Sequence, residues 1–247
     1  MLILGVESAT GRVGCAVGGP DGVSACVEAT RDRRHAELLA PQIQTACAHG
    51  GIALGDLDAV AVDVGPGLYT GLRVGVATAV TMAHALDVPM IAVSSLDLLA
   101  YPLRHSRGRV AAVIDARRGE VFHAVFSCGD GLVERLTEPA VSTPEQLREL
   151  LVGSEPAAGS RAGSRAAAAT LLAGDGAERY GPLFDGLNGL ERVDSGLAHP
   201  SAASLVQLAR AAAARQEFLR PEEVEPMYLR RPDAQPQPRH LAAGKQN

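Results

Sequence analysis

Three glycine-bearing turns carry the residues with the clearest potential for chemistry. Each follows or precedes an apolar segment, and two of them begin with an acid at the predicted end of a strand. Tight turns of this kind let backbone amides approach phosphate groups, so they could form a nucleotide site. The candidate nucleotide-binding residues are Glu7, Ser8, Asp115, Gly174, Asp175 and Gly176. The first turn has no glycine directly after its acid, so hairpin turns without a ligand are an equal alternative.

A basic pair, Arg117 and Arg118, occupies the predicted tip of the second turn. Guanidinium groups bind phosphate and carboxylate oxygens with well-defined geometry. The pair is therefore a candidate contact for RNA phosphate or for the carboxylates of a partner protein, and a solvated turn is the alternative. The formal net charge of −5 disfavours a protein that grips nucleic acid alone, because such proteins usually present a basic face.

Other kinds of catalytic site find little support in the sequence. The seven histidines never fall at the i, i+4 spacing that places two ligands on one helix face, and the four cysteines form no CxxC pair, so we expect no metal site. A GxSxG elbow is also missing, which disfavours a serine hydrolase. No signal peptide or membrane helix is apparent, so we expect a cytoplasmic protein.

Two predicted helices, 33–49 and 71–86, form the most unusual surface. The second has few polar members, and a helix that is apolar nearly all round must be covered nearly all round. It is either internal to the fold or docked against a partner through its outer face, with helix 33–49 beside it. The candidate contact residues on the two helices are His35, Leu38, Leu39, Ile43, Leu72, Val76, Val80 and Ala83.

The order of elements suggests two related α/β lobes. The pattern of strand, acid, turn and strand in residues 2–17 recurs in residues 110–126, about one hundred residues later. We predict a first lobe over 1–103 and a second over 104–220, the latter with a low-complexity loop at 153–169 and a helix at 200–216 that can pack back toward the first lobe. Residues 221–247 form a terminal segment and a disordered tail.

Six segments taken together resemble the bacterial TsaB family, also called YeaZ. They are RRHAELLAPQI, AVDVGPGLYTGLRVGVATA, PMIAVSSLDLLA, DARRGEVF, GDGAERY and the terminal PEEVEPMYLRR, in this order and spacing. The resemblance covers most of residues 1–231. The sequence departs from it at Leu68-Tyr69, where the family commonly has Ser-Phe, and at Glu7, where Asp is usual.

The resemblance implies an α/β, two-lobed actin/hexokinase/Hsp70-like (ASKHA) fold with mixed sheets and flanking helices. It also implies a role in making threonylcarbamoyladenosine next to the anticodon of tRNAs that read codons starting with A. In that pathway TsaB is a non-catalytic subunit that pairs with its metal-binding paralogue TsaD through helices of the first lobe, and the ATPase TsaE joins them. A cofactor of its own is not expected, whereas ATP or ADP could bind in the complex.

We further expect that the free protein self-pairs through the same apolar helices and reaches tRNA only through the complex. Two alternatives remain open at this point. One is a nucleotide-dependent phosphotransferase that uses Glu7, Asp115 and Gly174–Gly176, and the other is a peptidase that acts on the paralogue.

Overall fold

The computed structural model describes residues 1–30, 35–153 and 169–230. Most of the predicted low-complexity loop at 153–169 and the predicted tail beyond residue 230 lie outside the described residues. Eleven strands and six α-helices are defined in the described part, with short 3₁₀ turns between them. The strands are β1 (Ile3–Glu7), β2 (Arg12–Gly19), β3 (Gly22–Thr30), β4 (Ala59–Asp63), β5 (Met90–Val93), β6 (Gly108–Arg117), β7 (Glu120–Gly129), β8 (Leu132–Arg135), β9 (Ala140–Ser142), β10 (Thr170–Ala173) and β11 (Leu190–Arg192). The helices are α1 (His35–Gly50), α2 (Tyr69–Leu86), α3 (Ser95–Ala100), α4 (Pro144–Gly153), α5 (Asp175–Arg179) and α6 (Ala202–Ala214).

The two sheets repeat one strand order. The first runs β3-β2-β1-β4-β5, and the second, written in the same sense, runs β8-β7-β6-β10-β11. Strand β6 therefore takes the central place that β1 holds in the first sheet. In both sheets the central strand pairs antiparallel with the strand that follows it and parallel with a later one. This duplicated α/β arrangement confirms the predicted ASKHA fold with mixed sheets and flanking helices.

Helices α1 and α2 cover one face of the first sheet. Apolar side chains of β1 and β4, including Val6 and Val62, pack against Leu39 of α1 and Val76 of α2 in a single buried cluster. Both helices begin and end within two residues of the predicted limits. Pro41 lies inside α1 rather than at its start, so the helix accommodates it after the first turn.

Helix α6 covers the opposite face of the same sheet, although it follows the second sheet in sequence. Leu205 and Ala209 of α6 pack with Ile3 of β1 and Ala61 of β4. The approach is close at Gly5, where an added Cβ would lie 3.0 Å from Val206 Cγ2. The last helix therefore completes the core of the first sheet.

Within the described ranges, none of the helices combines the length and the apolar character needed to cross a lipid bilayer.

Candidate functional site

The outward faces of α1 and α2 carry few charges. Among the exposed side chains of these two helices, only Glu37 and Arg73 are formally charged at neutral pH. The rest of the exposed set is small or uncharged, and we call these outward faces the α1–α2 surface. Its exposed members are Ala36, Glu37, Ala40, Pro41, Gln44, Thr45, Ala48 and His49 of α1, and Tyr69, Thr70, Arg73, Ala77, Thr81, His84 and Ala85 of α2.

Most of the residues predicted to contact a partner face inward instead. Six of the eight are buried in the core of the chain itself, and two, Leu38 and Val80, are half-buried. The expectation that these side chains are available for docking is therefore wrong for the six, because the apolar stripe of each helix packs on the sheet. The buried six are His35, Leu39, Ile43, Leu72, Val76 and Ala83.

The smooth stripe of α2 also faces the sheet. A Cβ added at Gly71 would lie 2.2 Å from the carbonyl oxygen of Ser8, and one added at Gly75 would lie 2.1 Å from Ser8 Oγ. The hydroxyl group of Ser8 donates a hydrogen bond of 2.9 Å to the Gly71 carbonyl. Ser8, predicted as a nucleotide contact, is therefore enclosed between β1 and α2.

A cleft of about 700 Å³ opens beside the start of α2. It lies between the first turns of α1 and α2 and the tip of the β6–β7 hairpin, and its lining includes His35, Tyr69, Thr70, Val74 and Arg117. The Nε2 atom of His35 lies 2.8 Å from the Thr10 carbonyl oxygen, which fixes the ring at the edge of the cleft.

Tyr69 lines this cleft and contacts a second exposed tyrosine, Tyr228; sequence reasoning predicted neither as a contact residue. The rings of Tyr69 and Tyr228 have centroids 5.3 Å apart. The Nη1 atom of Arg73 donates a hydrogen bond of 2.8 Å to the Tyr69 hydroxyl oxygen, and its guanidinium group lies over the Tyr69 ring. The terminal segment that carries Tyr228 is thereby placed against α2.

The predicted arginine pair occupies the tip of the β6–β7 hairpin. Arg117 and Arg118 both adopt left-handed backbone conformations, with φ angles of 62° and 57°. The Nη1 atom of Arg117 lies 3.2 Å from Asp115 Oδ2, and Arg117 also lines the cleft. Whether either arginine contacts RNA or a partner stays a prediction.

The glycine turn after β10 is filled by its own chain. Gly174 has a φ angle of 116°, and a Cβ there would lie 2.0 Å from the Val113 carbonyl oxygen. A Cβ at Gly176 would lie 2.9 Å from the backbone carbon of Ile114. Both glycines are therefore accounted for by the close approach of α5 to β6, without any ligand.

The acids beside this turn are also engaged within the chain. Asp175 Oδ1 accepts a hydrogen bond of 2.9 Å from the backbone N–H of Asp115. The carboxylate of Asp115 is paired with Arg117 and with Arg179, the latter at 3.5 Å. Burial, with a smaller contribution from the carboxylate of Asp115, raises the pKa of Asp175 to about 6, against the opposing effect of the hydrogen bond from the Asp115 N–H.

Glu7 lies fully buried at the end of β1, next to Asp63 at the end of β4. Sequence reasoning identified Glu7 but not Asp63, because only the parallel pairing of the two strands brings the acids together. The candidate nucleotide residues thus fall into two groups, Glu7 and Ser8 on the first sheet and Asp115, Gly174, Asp175 and Gly176 on the second, and each makes internal contacts.

One further pair bears on hydrolytic chemistry. Ser142 Oγ lies 2.9 Å from His123 Nε2, between β9 and β7. The same hydroxyl also donates to the Thr143 carbonyl at 3.1 Å, and the buried His123 Nδ1 has no hydrogen-bond partner among the described residues. Burial lowers the pKa of His123. In the part of the chain that the structure describes, no acid orients the imidazole of His123, so the pair does not form a catalytic triad there.

No group of three or more His, Cys, Asp or Glu side chains in the described ranges is arranged to hold a metal ion.

Comparisons with known proteins place the chain in one family. The family model for TsaD, tRNA N6-adenosine threonylcarbamoyltransferase, matches residues 26–237. The chain is 30% identical over 203 residues to the tRNA threonylcarbamoyladenosine biosynthesis protein TsaB of Haemophilus influenzae, and the match covers 80% of each chain. It is 34% identical over 239 residues to an uncharacterized protein of Mycobacterium leprae, covering 95% of this chain but 56% of that relative.

A solved structure extends this likeness to the fold. YeaZ from Pseudomonas aeruginosa superposes with a TM-score of 0.74 at 28% sequence identity, covering 92% of this chain and 99% of that one. The chain thus spans a little over half the length of its Mycobacterium leprae relative and nearly all of the YeaZ structure. From these matches we conclude that the chain belongs to the TsaB family, also called YeaZ.

Proposed function

We propose that this protein takes part in tRNA threonylcarbamoyladenosine biosynthesis as a non-catalytic subunit that binds TsaD. Family membership supports the assignment to this pathway, because the Haemophilus influenzae relative is named for it. The charge-poor α1–α2 surface supports the proposed binding to TsaD. An exposed helical face with so few charges can be covered by a second protein at little desolvation cost.

The docking residues in this proposal differ from those expected from the sequence. Ala77 and Thr81 are exposed near the middle of α2, and Ala40 and Gln44 are exposed on α1. Small side chains at these positions allow another helix to approach closely, while the buried stripe holds the two helices on the sheet. The half-buried Leu38 and Val80 can contribute their accessible edges.

The candidate nucleotide-binding groups already make contacts within the chain, which favours a structural role in the complex over a catalytic one. The glycine turn at 174–176 packs closely against the backbone of β6, and Ser8 is hydrogen-bonded to the Gly71 carbonyl of α2. Each group that could act on a nucleotide is therefore used to hold the fold. We further propose that TsaE, tRNA and ATP or ADP act at the level of the complex, and that the free chain pairs with itself through the α1–α2 surface.

Reconstitution with the TsaD and TsaE proteins of the same organism tests this proposal. The assay measures threonylcarbamoyladenosine in tRNA, and each protein is omitted in turn. We expect full modification only when this chain is present, and a direct complex with TsaD in gel filtration. Modification at the full rate without this chain, or no complex with TsaD, would overturn the proposal.

A further inference from the structure

Two buried carboxyl groups lie side by side on the first sheet. Val6 pairs with Val62 in the parallel ladder of β1 and β4, so Glu7 and Asp63 occupy the next step of both strands. Side chains alternate between the faces of a sheet, which places both acids on the face opposite Val6 and Val62. Glu7 is 0% exposed and Asp63 is 1% exposed. We call these two acids the carboxyl pair.

Each member of the carboxyl pair has one satisfied oxygen and one orphan. Glu7 Oε1 accepts a hydrogen bond of 2.8 Å from the Ala9 N–H. Asp63 Oδ1 accepts bonds from the Gly65 N–H at 2.8 Å and from Ser95 Oγ at 2.7 Å. Glu7 Oε2 and Asp63 Oδ2 are buried with no hydrogen-bond partner among the described residues. Two ionised carboxylates at this depth, each with an orphan oxygen, would be strongly unfavourable.

At the equivalent position of the second sheet, the buried carboxylate is compensated by neighbouring cations. Asp115, at the end of its central strand, lies 3.2 Å from Arg117 and 3.5 Å from Arg179, so two guanidinium groups compensate its charge. Asp175 beside it accepts the Asp115 N–H. Within the described ranges, the orphan oxygens of the carboxyl pair have no such donor, which leaves a proton as the simplest means of satisfying both of them.

The charged groups that surround the carboxyl pair do not change this conclusion. Arg12 of β2 weakly favours ionised Glu7, but it lies 3.3 Å from Glu28 of β3, whose carboxylate opposes it. Asp97 of α3 adds negative charge near Asp63 and is paired with Arg135 of β8. His199, which precedes α6, is hydrogen-bonded to Thr10.

The electrostatics of the pair favour its protonated form. Burial raises the pKa of Glu7 well above its ordinary value, and the carboxylate of Asp63 raises it further. Burial raises the pKa of Asp63 to about 7, against the opposing effect of the hydrogen bonds from Ser95 and Gly65.

We propose that the carboxyl pair holds a single proton at neutral pH, shared between Glu7 Oε2 and Asp63 Oδ2, and that this proton fixes the first turn of α2. Loss of the proton to water leaves two buried negative charges and drives the pair apart. The two turns that the pair anchors meet at α2, since the Leu68 N–H donates a bond of 2.7 Å to the Ala9 carbonyl. The proton thereby connects pH to the position of this helix.

Infrared spectroscopy of the isolated chain tests the shared proton directly. A protonated carboxyl group has a C=O stretching band that is separate from the carboxylate bands. We expect this band in the natural protein at pH 7 and its loss in both Glu7→Gln and Asp63→Asn, since each amide can donate to the remaining carboxylate. The exposed Asp21→Asn is the control and should keep the band. A missing band in the natural protein, or its persistence in both variants, overturns the proposal.

Hydrogen exchange tests the connection to α2. Where the closed form keeps the proton and the open form has lost it, opening becomes about tenfold more favourable per pH unit. We expect protection of the amides at 64–72, corrected for intrinsic exchange, to fall as the pH rises from about 5 to about 7 in the natural protein and in Asp21→Asn, but to stay level in Glu7→Gln. Equal slopes in natural protein and Glu7→Gln would exclude the connection.

Both measurements use the chain alone, so their outcome does not depend on TsaD. The shared proton itself does not rest on the proposed function. If reconstitution fails while the infrared band and the hydrogen-exchange slopes behave as expected, the shared proton is supported and the proposed docking role is wrong.

Discussion

Ser8 and Gly71 are joined by a hydrogen bond of 2.9 Å from the serine hydroxyl group to the glycine carbonyl oxygen, across the contact between β1 and α2. The Cα of Gly71 meets the Ser8 backbone so closely that an added Cβ would lie 2.2 Å from the Ser8 carbonyl oxygen. A backbone oxygen cannot swing aside as the end of a side chain can. The absence of a side chain at Gly71 therefore sets how closely α2 approaches the first sheet.

Gly71→Ala should reduce the free energy of unfolding. Overpacking of this kind costs about 1–3 kcal/mol, against a gain of about 1 kcal/mol in helix propensity. Denaturant titration measures the difference. Gly55→Ala is the matched control, because nothing lies within 4 Å of an added Cβ at that exposed glycine. A Gly71→Ala protein as stable as the natural one would mean that α2 can shift without cost.

Ala77→Glu should weaken TsaD binding more than about tenfold while the chain stays folded, because the charge would be buried unpaired in the complex. Calorimetric titration with TsaD measures the affinity, and Leu132→Glu, at a 74% exposed position of the second sheet, is the control. Val76→Glu should instead destabilise the chain itself, since Val76 is only 6% exposed. Unchanged affinity of Ala77→Glu would remove the α1–α2 surface as the docking site.

Asp175→Asn should alter the pH dependence of stability. Burial raises the pKa of Asp175 to about 6 from an ordinary 3.8, so the folded state binds more protons than the unfolded state between these values. The free energy of unfolding contributed by Asp175 is therefore highest at low pH and falls as the pH rises from about 4 to 6. At pH 8 the variant should gain at most roughly 3 kcal/mol over the natural protein, and at pH 4 almost nothing.

Unfolding titrations at several pH values measure this difference for Asp175. Glu178→Gln, an exposed change on the same helix, serves as the control. The sign of the prediction would be wrong if Asp175→Asn lost stability relative to the natural protein as the pH rose.

Arg118→Glu should weaken tRNA binding by the complex with TsaD and TsaE, if the hairpin tip meets the RNA backbone. Loss of one phosphate contact lowers affinity for all tRNA sequences alike and reduces the salt dependence by about one counterion. Fluorescence titration at several salt concentrations gives both quantities. Arg107→Glu changes an arginine that is 87% exposed elsewhere on the second lobe and is the control. Identical effects of the two changes would point to a general loss of positive charge.

Isolated protein should give no saturable heat when titrated with ATP and magnesium. We expect this because the candidate groups already make contacts within the chain: Gly174 packs closely against the Val113 carbonyl oxygen, and Asp115 pairs with Arg117. Addition of TsaD to the cell is the informative control. Tight stoichiometric binding to the chain alone would favour the phosphotransferase alternative.

Local sequence patterns predicted the elements with long apolar periodicity but missed those stabilised mainly by neighbours. Helices α1, α2 and α6 all follow from their spacing. Strand β3 does not, because its residues are half-buried at a sheet edge and lack a continuous apolar run. It matters nonetheless, since Glu28 Oε1 on this strand accepts bonds from Ser201 Oγ and the Ala202 N–H at the start of α6.

The candidate site, too, could be predicted from the sequence only in part. The sequence correctly marks α2 as poor in charge, but periodicity alone does not say which apolar stripe faces the sheet. The stripe through Leu72 and Val76 packs inward, so the accessible face is the one with Ala77 and Thr81. Asp63 became significant only through strand register, which places it beside Glu7 across fifty-six residues of sequence.

Helix α6 belongs to one half of the chain by order and to the other by packing. A fragment that ended near residue 103 would leave Ile3 and Ala61 bare where Leu205 and Ala209 now cover them. Cutting the gene between the two lobes would consequently yield a first piece with one face of its sheet exposed to water. Because α6 joins the second half of the chain to the first sheet, the two lobes should unfold together as one cooperative unit.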